Sequence, residues 1–109
     1  MFIIDDNPTF QHKVVARKPV DGGFKEEAFK VTFNLLPAEE QDTYDLTTTE
    51  GSTSFLRRVI ASIDDVAGAD GKLLPYSDEL RDKLIAMPFV RAAIARGYFE
   101  AITGARAGN

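Results

Sequence analysis

The chain has 109 residues, a formal net charge of −4, 44% hydrophobic residues and no cysteine. That length suits one domain, and the missing cysteines exclude disulfides and cysteine metal sites. The acidic balance opposes binding to a phosphate backbone, and no apolar run approaches the ~20 residues that span a bilayer, so neither nucleic acid nor membrane is an expected partner.

Met1-Phe2-Ile3-Ile4 runs straight into Asp5-Asp6, without the basic start or long apolar run of a signal peptide, so a cytoplasmic protein is expected. Asp5-Asp6-Asn7-Pro8 reads as a turn, because Pro8 lacks a donor and restricts Asn7. Phe10 to Val20 and Phe24 to Leu35 each alternate apolar and polar residues around Gly22-Gly23, which predicts an antiparallel β-hairpin. With Gly22-Gly23 as a two-residue loop, Phe10 faces Leu35, His12 faces Phe33, Val14 faces Val31 and Ala16 faces Phe29. A slip of two residues, with a longer loop, keeps the same faces and sets Ala16 against Glu27; it ranks second.

Beyond the hairpin the pattern turns helical. Leu36-Pro37-Ala38-Glu39-Glu40 predicts a short helix ending near Leu46, with proline and two glutamates suited to its first turn. Thr47 to Glu50 has capping-box spacing, weakened by Gly51, with Ser52 or Thr53 as alternative caps. Phe55, Leu56, Val59, Ile60 and Ile63 fall on one stripe of the next helix, with Arg57 and Arg58 pointing away. Asp70-Gly71 suggests a short second hairpin, which Pro75 stops. Ser77 caps a helix that carries Leu80, Leu84 and Met87. Pro88 starts the last helix, which runs to about Thr103 and ends at Gly104. The expected fold is α+β: a hairpin part (1–36), a bundle of about four helices (37–104) and a frayed tail (105–109).

The last helix is unusually apolar. Val90, Ala92, Ile94, Ala95, Tyr98, Phe99, Ala101 and Ile102 cover more than half its circumference, leaving Arg96, Glu100 and Thr103 as a polar strip. Either the helix is central or one flank meets another chain. Arg91 lies within the apolar arc, so it must snorkel, pair with a carboxylate or face a partner. Arg91, Ile94, Tyr98, Phe99 and Ile102 are the candidate interaction residues.

Catalytic chemistry finds little support. His12 is the only histidine and reads as a strand residue at the core margin. Asp70-Gly71 resembles the middle of an EF-hand loop, but Val66, Gly68 and Ser77 then occupy ligand positions, so no calcium site is expected. Glu26 and Glu27 point to opposite faces of a strand, and Glu39-Glu40 suits a helix start. The hydroxyl run from Thr47 to Ser54 lacks a phosphate-loop or hydrolase pattern and reads as capping. No catalytic residue, cofactor or metal is expected.

Several segments in order carry a resemblance. They are Phe2-Ile3-Ile4-Asp5-Asp6-Asn7-Pro8-Thr9-Phe10, Pro19-Val20-Asp21-Gly22-Gly23-Phe24, Thr49-Glu50-Gly51-Ser52-Thr53-Ser54-Phe55-Leu56-Arg57, Pro75-Tyr76-Ser77-Asp78-Glu79-Leu80-Arg81 and Tyr98-Phe99-Glu100-Ala101-Ile102-Thr103-Gly104-Ala105-Arg106. Together they resemble small tail assembly chaperones of long-tailed bacteriophages and prophages. The resemblance implies a non-catalytic morphogenesis factor of the host bacterial cytoplasm. It would bind the tape-measure protein, recruit tail-tube protein and be absent from the mature virion. It leaves room for a homo-oligomer, and the family has no catalytic residues to carry over. The rival readings are a structural virion component, such as a head–tail joining or tail-completion protein, and a module that self-associates through the hairpin edge.

Overall fold

The computed structural model describes residues 1–104; the predicted frayed tail lies outside them. The fold is α+β. Strands β1 (Thr9–Val20) and β2 (Gly23–Asn34) form the hairpin, and a third strand, β3 (Ile60–Asp64), joins β2 antiparallel in the order β1-β2-β3. Helices α1 (Ala38–Gln41), α2 (Thr49–Val59), α3 (Asp78–Ala86) and α4 (Pro88–Thr103) complete it. None of them is long and apolar enough to cross a membrane.

The hairpin adopts the register that ranked second. Val20 pairs with Gly23, Ala16 with Glu27, Val14 with Phe29, His12 with Val31 and Phe10 with Phe33. The longer loop expected of that slip does not form; the loop is the two-residue Asp21-Gly22, with Gly22 at φ 78°. This register sets Arg17 opposite Glu26 and stacks its guanidinium 5.0 Å from the Phe24 ring centroid. It also brings the Phe10 and Phe33 rings to 5.4 Å. Both registers bury the same face, because a slip of two preserves strand parity. Val14, Ala16, Phe29, Val31 and Phe33 are all buried as the alternation requires.

α2 stops at Val59, and Ile60 and Ile63 belong to β3 rather than to the predicted helical stripe. Residue 60 pairs with Phe33 while residue 62 pairs with Thr32, so Ala61 is bulged out. The bulge lets two residues three apart face the same side of a strand, imitating a helical offset. The first helix is also shorter than expected. The Thr43 amide and hydroxyl both donate to the Glu40 carbonyl, at 3.0 and 2.7 Å, which closes α1 after one turn. Thr48, not Thr47, Ser52 or Thr53, caps α2, its hydroxyl accepting from the Gly51 amide at 3.0 Å. Ser77 caps α3 as expected, accepting from the Leu80 amide at 3.0 Å. The second hairpin shrinks to one bridge, Ala67 to Leu73, around Asp70-Gly71.

α4 lies across the inner face of β1, and α2 and α3 pack beside it. Val90, Ala93, Ile94, Gly97 and Tyr98 form its buried stripe. A Cβ on Gly97 would come within 3.2 Å of Val14 Cγ2 and 3.5 Å of the His12 ring, so glycine sets the closest approach of helix to sheet. Tyr98 is the hub. Its ring lies 5.3–6.1 Å from those of Phe10, Phe33, Phe55 and Phe99, and its hydroxyl accepts from the Leu36 amide at 3.2 Å.

Candidate interaction surfaces

The structure divides the five candidate residues on α4. Ile94 and Tyr98 are buried completely, so they present nothing to a partner. The wide apolar arc of α4 is explained largely by its central place against sheet and helices, since one helix must meet both. Arg91 neither snorkels into solvent nor pairs with a carboxylate. Its guanidinium donates to the Ile85 carbonyl at 3.2 Å, the Thr49 carbonyl at 3.2 Å, and the Ser52 and Thr53 hydroxyls at 2.7 and 2.8 Å. One planar fork thus ties α4 to the first turn of α2 and the last turn of α3. The hydroxyl run that suggested only capping supplies two of these acceptors. Arg91→Lys is expected to lower stability by about 1–2 kcal/mol, since a single ammonium cannot span four acceptors. Urea unfolding should show a lower midpoint at an unchanged slope.

Phe99 and Ile102 remain at the surface. Phe99 is half-buried, stacked parallel on Phe55 at 5.7 Å, while Ile102 is 37% exposed. With Ala92 and Ala95 they form a second stripe on α4, at offsets of three, seven and ten. Ala92, Ala95 and Phe99 line one wall of a shallow groove of about 230 Å³, faced by Leu46, Phe55 and Leu56. Its lining is almost wholly apolar, with Ser52 and Arg91 at its border. Leu46, itself 42% exposed, Ala92 and Ala95 line this surface without being among the five candidates. Ala95 stood in the α4 arc, but nothing in the sequence placed Leu46 across from it.

A second groove, of about 500 Å³, runs between β1 and α4 and is lined by Val14, Val15, Ala93 and Gly97, with Lys13, Arg17 and Arg96 and the carboxylates Glu26 and Glu100 at its charged rim. β1 is an edge strand here. Arg96 donates to the Val15 carbonyl at 3.3 Å, so that carbonyl points away from β2. His12 sits half-buried on the inner face, beside Gly97.

Several other charged groups have structural partners. Arg58 holds Glu40 with two hydrogen bonds, at 2.6 and 3.1 Å, joining α1 to α2. Arg81 and Arg57 both donate to Asp82 Oδ1 at 3.1 Å. The hydrogen bond from Arg81, helped by Arg57, holds the Asp82 carboxyl below the usual range. Burial, with the Glu40 carboxylate beside it, raises the Tyr44 phenol. Glu27 lies near Lys18 at 3.9 Å, on the face of the hairpin opposite Glu26. Among the described residues no three His, Cys, Asp or Glu side chains gather as a metal-holding group. Compared with protein-family models, curated proteins and solved structures, the chain matches none.

Proposed function

We propose that this protein is a tail assembly chaperone, a non-catalytic factor that binds a tape-measure protein, helps bring tail-tube subunits to it and is left out of the finished virion. The sequence resemblance suggests the reading. The observation that carries it in the fold is the groove between Ala92, Ala95 and Phe99 of α4 and Leu46, with exposed Ile102 further along the same stripe. A chaperone for a long amphipathic rod needs an apolar surface that accepts many sequences, and a helix laid in a groove meets this need. The net charge of −4 favours solubility of the loaded complex. Its setting would be the host bacterial cytoplasm.

The test is co-expression with the tape-measure protein of the same genome, followed by pull-down on this chain. Co-purification of an otherwise insoluble tape-measure protein is the expected result. No binding, with this chain found instead in purified tails, would replace the reading with a structural virion component. The choice of blocking variant matters. Phe99→Asp places a charge between Phe55 and Tyr98, and is expected to destabilise the fold by about 2–4 kcal/mol. Ala92→Glu and Ile102→Glu alter exposed positions. They should keep the unfolding midpoint nearly unchanged while abolishing capture of the tape-measure protein.

A further inference from the structure

The segment before β1 is the most exposed apolar stretch of the described chain: Phe2 is 90%, Ile3 78% and Ile4 81% accessible. Three consecutive large apolar side chains in water call for a covering surface. The same molecule leaves a strand edge open. A two-residue loop makes Val20 and Gly23 a bonded pair, so the even-numbered residues of β1 bond to β2. The backbone groups of Gln11, Lys13, Val15 and Arg17 therefore face outward, as the Val15 carbonyl does toward Arg96. We infer that residues 2–5 of one copy add as an antiparallel strand to the open β1 edge of a second copy.

Charge selects this occupant over a second β1. β1 carries Lys13, Arg17 and Lys18 and no carboxylate, so two β1 edges side by side would concentrate cations in one strip. The incoming segment carries Asp5 and Asp6 and no base. With Ile3 opposite Val15, Asp5 meets Lys13 and Asp6 meets His12. Phe2 and Ile4 then stand beside Ala16 and Val14 and turn toward Ala93 and Gly97, where the groove is open. The Val15 carbonyl exchanges the Arg96 guanidinium for the incoming Ile3 amide as its donor.

A chain cannot do this to itself. In that register Pro8 would oppose Phe10 and leave Thr9 alone as the loop, one residue short of the tightest common hairpin. Thr9 already pairs with Asn34, and the Pro8 carbonyl accepts from the Leu35 amide at 3.0 Å. The segment thus leaves in line with β1 and does not fold back on it.

The experiment measures molar mass by sedimentation equilibrium on the full chain, on a deletion of residues 2–6, and on Lys13→Pro. That proline removes an outward amide and spares the bonds to β2. The full chain should exceed the monomer mass, and each variant should fall to it. Mixing the two variants should give a one-to-one pair, since one keeps the edge and the other keeps the segment. A monomeric full chain, a deletion that leaves the mass unchanged, or variants that stay apart on mixing would overturn the inference. Should circular dichroism show that Lys13→Pro misfolds, charge reversal replaces it. Asp5→Lys should weaken association about tenfold, and adding Lys13→Glu should restore it; no recovery would count against the assigned register.

Discussion

Tyr98→Ala is expected to be the most damaging single truncation in the chain. The side chain is fully buried and meets four aromatic rings from β1, β2, α2 and α4 itself. Removing a large buried aromatic costs about 3–5 kcal/mol through lost transfer energy and a cavity that the surroundings fill only partly. The hydroxyl adds a second loss, because the Leu36 amide that donates to it sits where β2 hands over to α1. An orphaned buried amide costs about 1–3 kcal/mol. The combined loss, about 4–8 kcal/mol, approaches the whole stability of a typical domain. Tyr98→Phe isolates the smaller part, keeping the ring contacts and losing the acceptor. Urea unfolding should therefore place Tyr98→Phe about 1–3 kcal/mol below the parent, with Tyr98→Ala already largely unfolded without denaturant. Equal losses in the two variants would mean that the hydroxyl, not the packing, dominates.

The same residue shows what the sequence made legible. The wide apolar arc of α4 left a choice between a central helix and a helix with an exposed flank. Burial of Ile94 and Tyr98 answers it for one side, while Ala92, Phe99 and Ile102 keep the other side open. Projection onto a wheel ranks residues by angle, but it cannot say where neighbouring elements stop. Here the covering of α4 ends at Leu46, in a loop whose position depends on α1 and α2. Hairpin faces were readable because parity survives a slip of two; the register was not, since Asp21-Gly22 and Gly22-Gly23 are both acceptable turns. The observed register sets Arg17 opposite Glu26 and over Phe24, a placement that alternation alone does not weigh. β3 was hidden for a related reason. A bulge at Ala61 gives Ile60 and Ile63 a helical spacing directly after a true helix. Arg91 stands out in the sequence, yet its partners are neutral oxygens up to 42 residues away in the chain, and no local pattern announces them.

Gly51→Ala should destabilise the protein, against the usual direction for a helix. In an exposed helix interior, replacing glycine by alanine gains up to about 1 kcal/mol. Gly51 lies in the first turn of α2, where the preceding loop folds back over it. A Cβ there would overlap the Asp45 carbonyl oxygen, with its carbonyl carbon at 2.8 Å and Thr48 Oγ1 at 2.9 Å. Two of these three atoms are backbone, so no rotamer change relieves the contact, and the loop itself must move. That loop is tightly tied. Asp45 Oδ1 accepts from the Thr47 amide and hydroxyl, at 3.0 and 2.6 Å, bonds that hold its carboxyl below the usual range. The Asp45 carbonyl accepts from Thr48 Oγ1 at 3.2 Å. Displacing Asp45 therefore pulls Thr48 from its capping position, which is worth about 0.5–2 kcal/mol, on top of about 1–3 kcal/mol for overpacking. Set against the helix gain of about 1 kcal/mol, the expected loss is about 0.5–4 kcal/mol, and it should reach Arg91, whose acceptors Thr49, Ser52 and Thr53 share that turn. A double-mutant cycle between Gly51→Ala and Arg91→Lys should show coupling, with the pair less damaging than the sum. Simple additivity, or a stabilised Gly51→Ala variant, would mean that the loop yields freely and that the turn is not the anchor described.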